Sequence, residues 1–552
     1  MGSPLSADTP SRSSPRLRSP EKSIAFYVGR DRTVDGSVLL GGFGHEPSSH
    51  WLEITPRREF DPDTTIEVGI TEEARLPGER LRVPQATSTA KYITTNYSEF
   101  AGFPPPLTNG GLNEHHLAGR DVWSPSREEL IERTPDPQIG VNYSDLARFC
   151  MERATTAAEA VDLISELIDT HGYATYGGNS HLFADPEEGW IVIEFAGGEG
   201  LWAAERLGPT DLRVSYPGYI KEFPIEFADH PGYRGADNLV SFAVEQGWFD
   251  PTGCETIDLH EVYGQPFPTT PGDDPQSICR HPPTLEDELA AMAPVSLPDM
   301  LALVRDPRWA DDSAGYGQVA HLRSDQPTTL ATLWVAATTP SAAPFVPIPI
   351  GATDVPPVYK QHRYLTKGAA TTFLHPDHAS IEATRNAVRL SKRLLYHVSE
   401  HPTEFLPPVT AALEAFEAAL LDRQATLEGQ IRADLEADDI ARARTRLTER
   451  LHVRLDAALG LVDQLVTVVD ATTRSSFGIR LPDRERPEGV TWRPESQPMT
   501  HPPDRDRRHD RPHCYVAELD RYPREHGSYS ELVESSSLLA EIDPIPDPMD
   551  RD

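Results

Sequence analysis

The most constraining feature is a run of strand-forming residues that begins abruptly at Ser23. Ser-Ile-Ala-Phe-Tyr-Val-Gly occupies 23–29, and Ser-Val-Leu-Leu-Gly-Gly-Phe-Gly follows at 37–44. Both stretches are apolar at successive positions, not at alternate ones, so each reads as a strand buried on both faces. Asp35-Gly36 lies between them, and glycine accepts positive φ at low cost. The sequence therefore predicts a hairpin covered on both sides.

Further strands are expected at Trp51–Pro56, Thr64–Val68 and Tyr92–Thr95, with a later pair at His181–Ala184 and Trp190–Phe195. A helix over about Tyr143–Gly172 separates the two groups, and Thr156-Ala-Ala-Glu159 has the form of a capping box, so two helices meeting there are predicted. A further helix is expected near Leu297–Val304. Three Ala/Leu/Arg/Glu-rich segments, roughly 379–400, 406–436 and 438–470, carry helical periodicity. Strands, a helical layer and more strands indicate an α+β core.

Composition narrows the class of partner. The formal net charge is -35, which repels nucleic-acid backbones and argues against DNA or RNA as a partner. No stretch reaches the ~18 apolar residues of a membrane helix. Cys150, Cys254, Cys279 and Cys514 are widely spaced and form no CxxC pair, which speaks against structural zinc and a disulfide framework. A cytoplasmic location is expected. Residues 1–22 and 481–552 are rich in Ser, Pro, Arg, His or acidic residues and are expected to be disordered. His501, His509, His513 and Cys514 fall in the second of these tails. His115-His116 has no carboxylate at ligand spacing, which speaks against a metal there, and no cofactor is expected.

Several segments in order resemble peptidase family C69, the dipeptidase family that includes the secernins. The hairpin Ser23–Gly29 running into Thr33-Val-Asp-Gly-Ser37 is similar to that family's opening, where the first residue is a cysteine. Gly111-Leu-Asn-Glu-His115, Glu152-Arg-Ala-Thr-Thr-Ala-Ala-Glu-Ala160 and Ala184-Asp-Pro-Glu-Glu-Gly-Trp190 through Glu194 also resemble family segments. So do Leu303-Val-Arg-Asp306, Leu333-Trp-Val335 and Phe345-Val-Pro347. The resemblance implies a four-layered αββα N-terminal-nucleophile hydrolase sandwich. It implies units at 1–22 (extension), 23–378 (core), 379–480 (helical region packed on the core) and 481–552 (tail).

It further implies hydrolysis of an amide bond in a dipeptide or small peptide. The nucleophile position holds Ser23, a candidate once residues 1–22 are removed. A free α-amine, with a reference pKa of ~7.7–8.0, would then sit beside the hydroxyl as general base. While Lys22–Ser23 is an intact peptide bond, that base is missing. Asn113 is a candidate oxyanion or substrate contact, or else a turn residue in the loop Thr108-Asn-Gly-Gly111. Asp185 and Glu194 are candidates for positioning substrate, or structural strand-end carboxylates. Where the family carries an Arg-Asn-x-Asp segment, this chain has Gly41-Gly-Phe-Gly-His45, leaving His45 and Glu46 as substitutes. The alternative is a catalytically degenerate homologue that binds a peptide as a partner in natural-product or peptide maturation. A homo-oligomer through the helical region is also open.

Overall fold

The computed structural model describes residues 23–44, 50–97, 102–215, 218, 220–265, 282–310, 314–360 and 386–477. The expected tails, together with His45, Glu46, Cys279 and Cys514, lie outside the described residues.

The Ser23 hairpin forms as its composition requires. Strand Ile24–Val28 pairs antiparallel with Val38–Phe43, with Ala25 opposite Gly42 and Tyr27 opposite Leu40. Every residue of both strands is buried. Asp35 holds the turn by accepting hydrogen bonds from the Ser37 amide at 3.2 Å and the Ser37 hydroxyl at 2.6 Å. The hairpin sits inside a six-stranded sheet, ordered Leu212–Ser215, Ile24–Val28, Val38–Phe43, Gly317–Leu322, Thr332–Ala336 and Val346–Pro349. Its position among strands drawn from both halves of the core explains why neither face carries a polar stripe.

A nine-stranded antiparallel sheet faces it. Tyr92–Tyr97, Gly110–Asn113, Ala118–Trp123, Asn179–Ala184, Gly189–Glu194 and Trp202–Leu207 form its centre. The sheets touch through side chains of alternate residues. The Tyr27 ring lies where a Cβ on Gly189 would stand, and Gln318 Nε2 donates to Thr95 Oγ1 across the gap at 2.6 Å. Phe26, one residue from Tyr27, points the other way and packs on Trp309 with ring centroids 5.6 Å apart. This is the period-two alternation of a strand with cover on both sides.

Helices supply that outer cover. Tyr143–Arg153 and Ala157–His171 pack on the nine-stranded sheet. Asn142 and Asp145 form a capping box on the first, and Thr156 caps the second by accepting from the Glu159 amide. The break at Ala154–Thr156 is thus fixed by local cap chemistry, although the return half of the expected box is displaced by one residue: Glu159 Oε2 accepts from the Thr155 amide at 2.8 Å. Cys150 is fully buried here. On the six-stranded sheet lie Pro282–Met292 and Leu297–Arg305, the latter with a Ser296–Asp299 capping box.

Three helices, Ala387–Glu400, Pro402–Glu436 and Ile440–Phe477, pack on one another, and the second and third also pack against strand Val346–Pro349. The second starts four residues earlier than periodicity alone indicates and runs through Pro407 and Pro408. These prolines lie within its first two turns, where few intrahelical amide bonds are forfeited. A buried ion pair ties this helix to the core. Arg305 Nη1 donates to Glu417 Oε2 at 3.0 Å, Arg305 Nη2 reaches Glu417 Oε1, and the Phe345 amide donates to the same oxygen at 2.7 Å. Both side chains are nearly inaccessible to water.

Asp35 has a second partner, His321 Nε2, 2.8 Å from its Oδ2. That hydrogen bond, with those from Ser37, holds the Asp35 carboxyl well below the usual carboxylate range. A depressed carboxyl stabilises the fold above its unfolded pKa of ~3.9, and this contribution is lost as pH falls through the folded value. Asp35→Asn should therefore lower the urea midpoint at pH 6 and flatten its decline between pH 4 and pH 2. An unchanged acid slope would show that the turn is not a contributor.

Candidate functional site

Ser23 precedes the first strand and is 8% exposed. Ala25 and Tyr27 face the inter-sheet space, so strand alternation points Ser23 into it as well. Around this position the two sheets contribute polar groups in place of the aliphatic side chains found toward Tyr27. Ser215, whose Cα pairs with Ala25, is 3.5 Å from Ser180 Oγ. Ser180 Oγ is 2.8 Å from Ser124 Oγ, and Ser124 accepts from the Gly218 amide at 3.1 Å. Ser124, Ser180 and Ser215 are all fully buried.

The other flank is cationic. Past Phe43, Gly44 accepts from the Gly315 amide at 3.4 Å. The next residue, Tyr316, accepts from Arg120 Nη1 at 3.0 Å, and the guanidinium lies 5.2 Å from the Tyr316 ring centroid. Arg120 Nε donates to the Gly119 carbonyl at 2.9 Å and Nη2 to the Asn109 carbonyl at 3.3 Å. Arg120 is 3% exposed. Its partners are neutral, and no carboxylate among the described residues pairs with it.

Asp121, the next residue, faces the opposite side. It accepts from Asn109 Nδ2 and, at 3.5 Å, from Asn179 Nδ2. Close by, His181 Nδ1 is 2.7 Å from Glu194 Oε1, and His181 Nε2 donates to the Tyr143 carbonyl at 3.1 Å. A carbonyl only accepts, so Nε2 carries a hydrogen, and Nδ1 and Glu194 share one proton. Burial raises the Glu194 carboxyl, opposed by His181; the imidazole is raised because Glu194 and Asp121 outweigh its own burial. This second polar cluster lies beneath the helix Tyr143–Arg153, on the far face of the sheet from Ser23. Glu194 is therefore a structural carboxylate and not a substrate contact.

Asn113 is likewise placed apart from Ser23. Its Nδ2 donates to the Met151 carbonyl at 3.2 Å and the Ala154 carbonyl at 2.8 Å, closing the end of the helix Tyr143–Arg153. Its Oδ1 accepts from the His115 and Leu117 amides at 2.9 and 3.1 Å. Both amide hydrogens are committed to helix carbonyls, so none is left to meet an oxyanion. These bonds give Asn113 a structural role at the end of the strand Gly110–Asn113, where it holds the turn to Leu117 and not the loop at 108–111. Asn113→Ala removes four hydrogen bonds at a fully buried position. At a net ~0.5–1.5 kcal/mol each, a loss of about 2–6 kcal/mol is expected in denaturant unfolding. A change below ~1 kcal/mol would contradict that assignment.

Asp185 is also structural. It accepts from the Ala157 amide at 2.9 Å, at the start of a helix, and from the Glu187 amide at 2.8 Å. Sequence reasoning missed Arg120, Ser124, Ser180, Ser215, Tyr316 and Gln318. The one available signal was a polar residue at the inward position of an otherwise apolar strand, as Ser180 is beside Leu182.

Residues 61–270 match the profile of peptidase family C69. The matched segment includes Asn113, Arg120, Ser180 and Ser215 and begins after the Ser23 hairpin. A curated relative, a "Probable dipeptidase" of Salmonella dublin, is 28% identical over 134 residues, covering 24% of this chain. The chain spans 29% of that relative's length. Two variants of the conjugated bile acid hydrolase from Clostridium perfringens align at 10% and 11% identity. They cover 59% and 60% of this chain and 92% and 93% of theirs, with TM-scores of 0.28 and 0.24. Scores this low carry no argument about fold. Through residues 61–270, the chain is similar to peptidase family C69.

Proposed function

We propose that this chain is a dipeptidase-like protein acting on the amide bond of a dipeptide or small peptide, with Ser23 as N-terminal nucleophile after removal of residues 1–22. One observation carries the reading. Ser23 stands at the mouth of a central strand, facing an inter-sheet layer of hydroxyls and a guanidinium instead of aliphatic core. The segment match to peptidase family C69 and the dipeptidase-named relative support the substrate class. Two packed sheets with helices on each outer face support a four-layered αββα sandwich.

The chemistry follows from the position. Once Lys22–Ser23 is cleaved, the new α-amine takes the Ser23 hydroxyl proton as the oxygen attacks the peptide carbonyl. The tetrahedral adduct collapses to an ester on Ser23 while the proton passes to the leaving amine. Water, activated by the same amine, then hydrolyses the ester and returns the hydroxyl. Serine needs this base more than cysteine would, because its hydroxyl is a weaker nucleophile at neutral pH.

The test compares the full-length chain with one beginning at Ser23, each verified by intact mass, on a dipeptide panel. Hydrolysis by the Ser23-start protein alone is expected. Equal turnover by an intact full-length chain would remove the N-terminal mechanism. The second reading, a homologue that binds a peptide without cleaving it, is favoured by the glycines at 41, 42 and 44. They stand where the family is expected to carry Arg, Asn and Asp. A cytoplasmic setting and self-association through the helical region remain part of the proposal.

A further inference from the structure

Two unmet groups share the inter-sheet face near Ser23. Arg120 is a buried cation whose hydrogen-bond partners among the described residues are a phenol and two carbonyls, all neutral. Those three bonds use three of its five N–H donors, leaving two. A buried charge without a counter-ion is costly, and chains tolerate it where a ligand supplies the opposite charge. Gln318 is the other group. Its Nε2 is held by Thr95 Oγ1, while its buried Oε1 has no partner among the described residues. Gln318 is the second residue of the strand Gly317–Leu322 and Tyr316 immediately precedes that strand, two residues away, at a backbone separation of roughly 7 Å if the extended chain continues. Arg120 Nη1 already touches Tyr316. A guanidinium with spare donors and an amide oxygen with a spare lone pair therefore border the same stretch of the inter-sheet face, where the residue paired with Gln318 on the neighbouring strand is the side-chain-free Gly42.

We propose that Arg120 and Gln318 bind the C-terminal residue of a peptide, the guanidinium taking its carboxylate and Gln318 Oε1 accepting its amide N–H. This rests on the reading of the inter-sheet layer as the peptide site and names the group that selects the substrate. Arg120 lies on the sheet opposite the hairpin, so it supplies from across the gap a cation that the Gly41–Gly44 stretch does not. It is a specificity-determining residue: it fixes which peptides enter, by requiring a free carboxylate within one residue of the bond presented to Ser23. Both side chains are buried, so a ligand enters by displacing neighbours. Neutral peptide amides, which lack the charge to offset that displacement, are excluded.

The test uses the Ser23-start chain carrying Ser23→Ala, so that binding is read without turnover. Calorimetry compares alanyl-alanine with alanyl-alanine amide. The free acid is expected to bind at least about tenfold more tightly, the scale of a charge-assisted hydrogen-bonded pair. Arg120→Gln should erase that preference, Arg120→Lys should retain part of it, and Gln318→Leu should weaken both ligands alike. Circular dichroism checks that each variant is folded. The parent's thermal midpoint should rise with the free acid and not with the amide, a readout that needs no Arg120 variant. Equal affinities in the parent, a preference surviving in Arg120→Gln, or no binding of either ligand would overturn the proposal. If carboxylate selectivity holds but the Ser23 chain hydrolyses nothing, the nucleophile reading fails and the Arg120 assignment stands.

Discussion

Ser23→Ala in the Ser23-start chain is expected to lower kcat for dipeptide hydrolysis by on the order of 10³-fold or more, with KM little changed. Removing a covalent nucleophile abolishes the acyl transfer itself, whereas peptide binding by the surrounding groups is retained. The fold should tolerate the change, since alanine is smaller than serine and the next five residues anchor the strand on both neighbours. Ser23→Cys should retain turnover, because a thiol is the stronger nucleophile and fits the same space. Steady-state kinetics with a stopped assay for free amino acid provide the measurement. Activity in Ser23→Ala within twofold of the parent would end the assignment. Loss in Ala together with recovery in Cys would be hard to explain by a structural role, since neither substitution should perturb packing.

The second large effect concerns stability. Glu417→Ala should destabilise the protein by about 3–5 kcal/mol, the range for breaking a buried ion pair by removing one partner. Arg305 would be left charged among Phe345, Pro340 and helix residues, and the Phe345 amide would lose its acceptor. Burial already raises the Glu417 carboxyl, and Arg305 opposes that shift. The paired charge therefore depends on its partner. The double variant Arg305→Met/Glu417→Leu should recover much of the loss, because two apolar side chains avoid the desolvation that the single change exposes. Guanidinium unfolding followed by tryptophan fluorescence tests this; Trp309 adjoins the helix bearing Arg305. A double variant as unstable as Glu417→Ala would place the cost in lost packing instead of the orphaned charge.

These two positions show different degrees of legibility. Ser23 was visible from the chain alone because its evidence is local: an unbroken apolar strand, a turn and a second strand lie within 22 residues. Arg305 and Glu417 are 112 residues apart, and each reads as an ordinary polar residue on an amphipathic helix. Nothing in their own segments states that both inward positions meet.

Asn113 and Arg120 mark the same boundary within the site. Gly-Leu-Asn-Glu-His drew attention to Asn113, yet its amide is used by a helix end 38 and 41 residues further along. Arg120-Asp121 looks like a self-compensating surface pair. In a strand, adjacent side chains point to opposite faces, so the sheet separates the two charges. Asp121 joins Asn109 and Asn179 beneath a helix, and Arg120 faces the hairpin with no carboxylate partner among the described residues. By itself, the sequence determined the hairpin, the helix caps and the α+β class, because these follow from residue spacing over one or two turns or strands. Only the tertiary structure decided which polar residues surround Ser23, because that depends on which strands become neighbours and which face each presents.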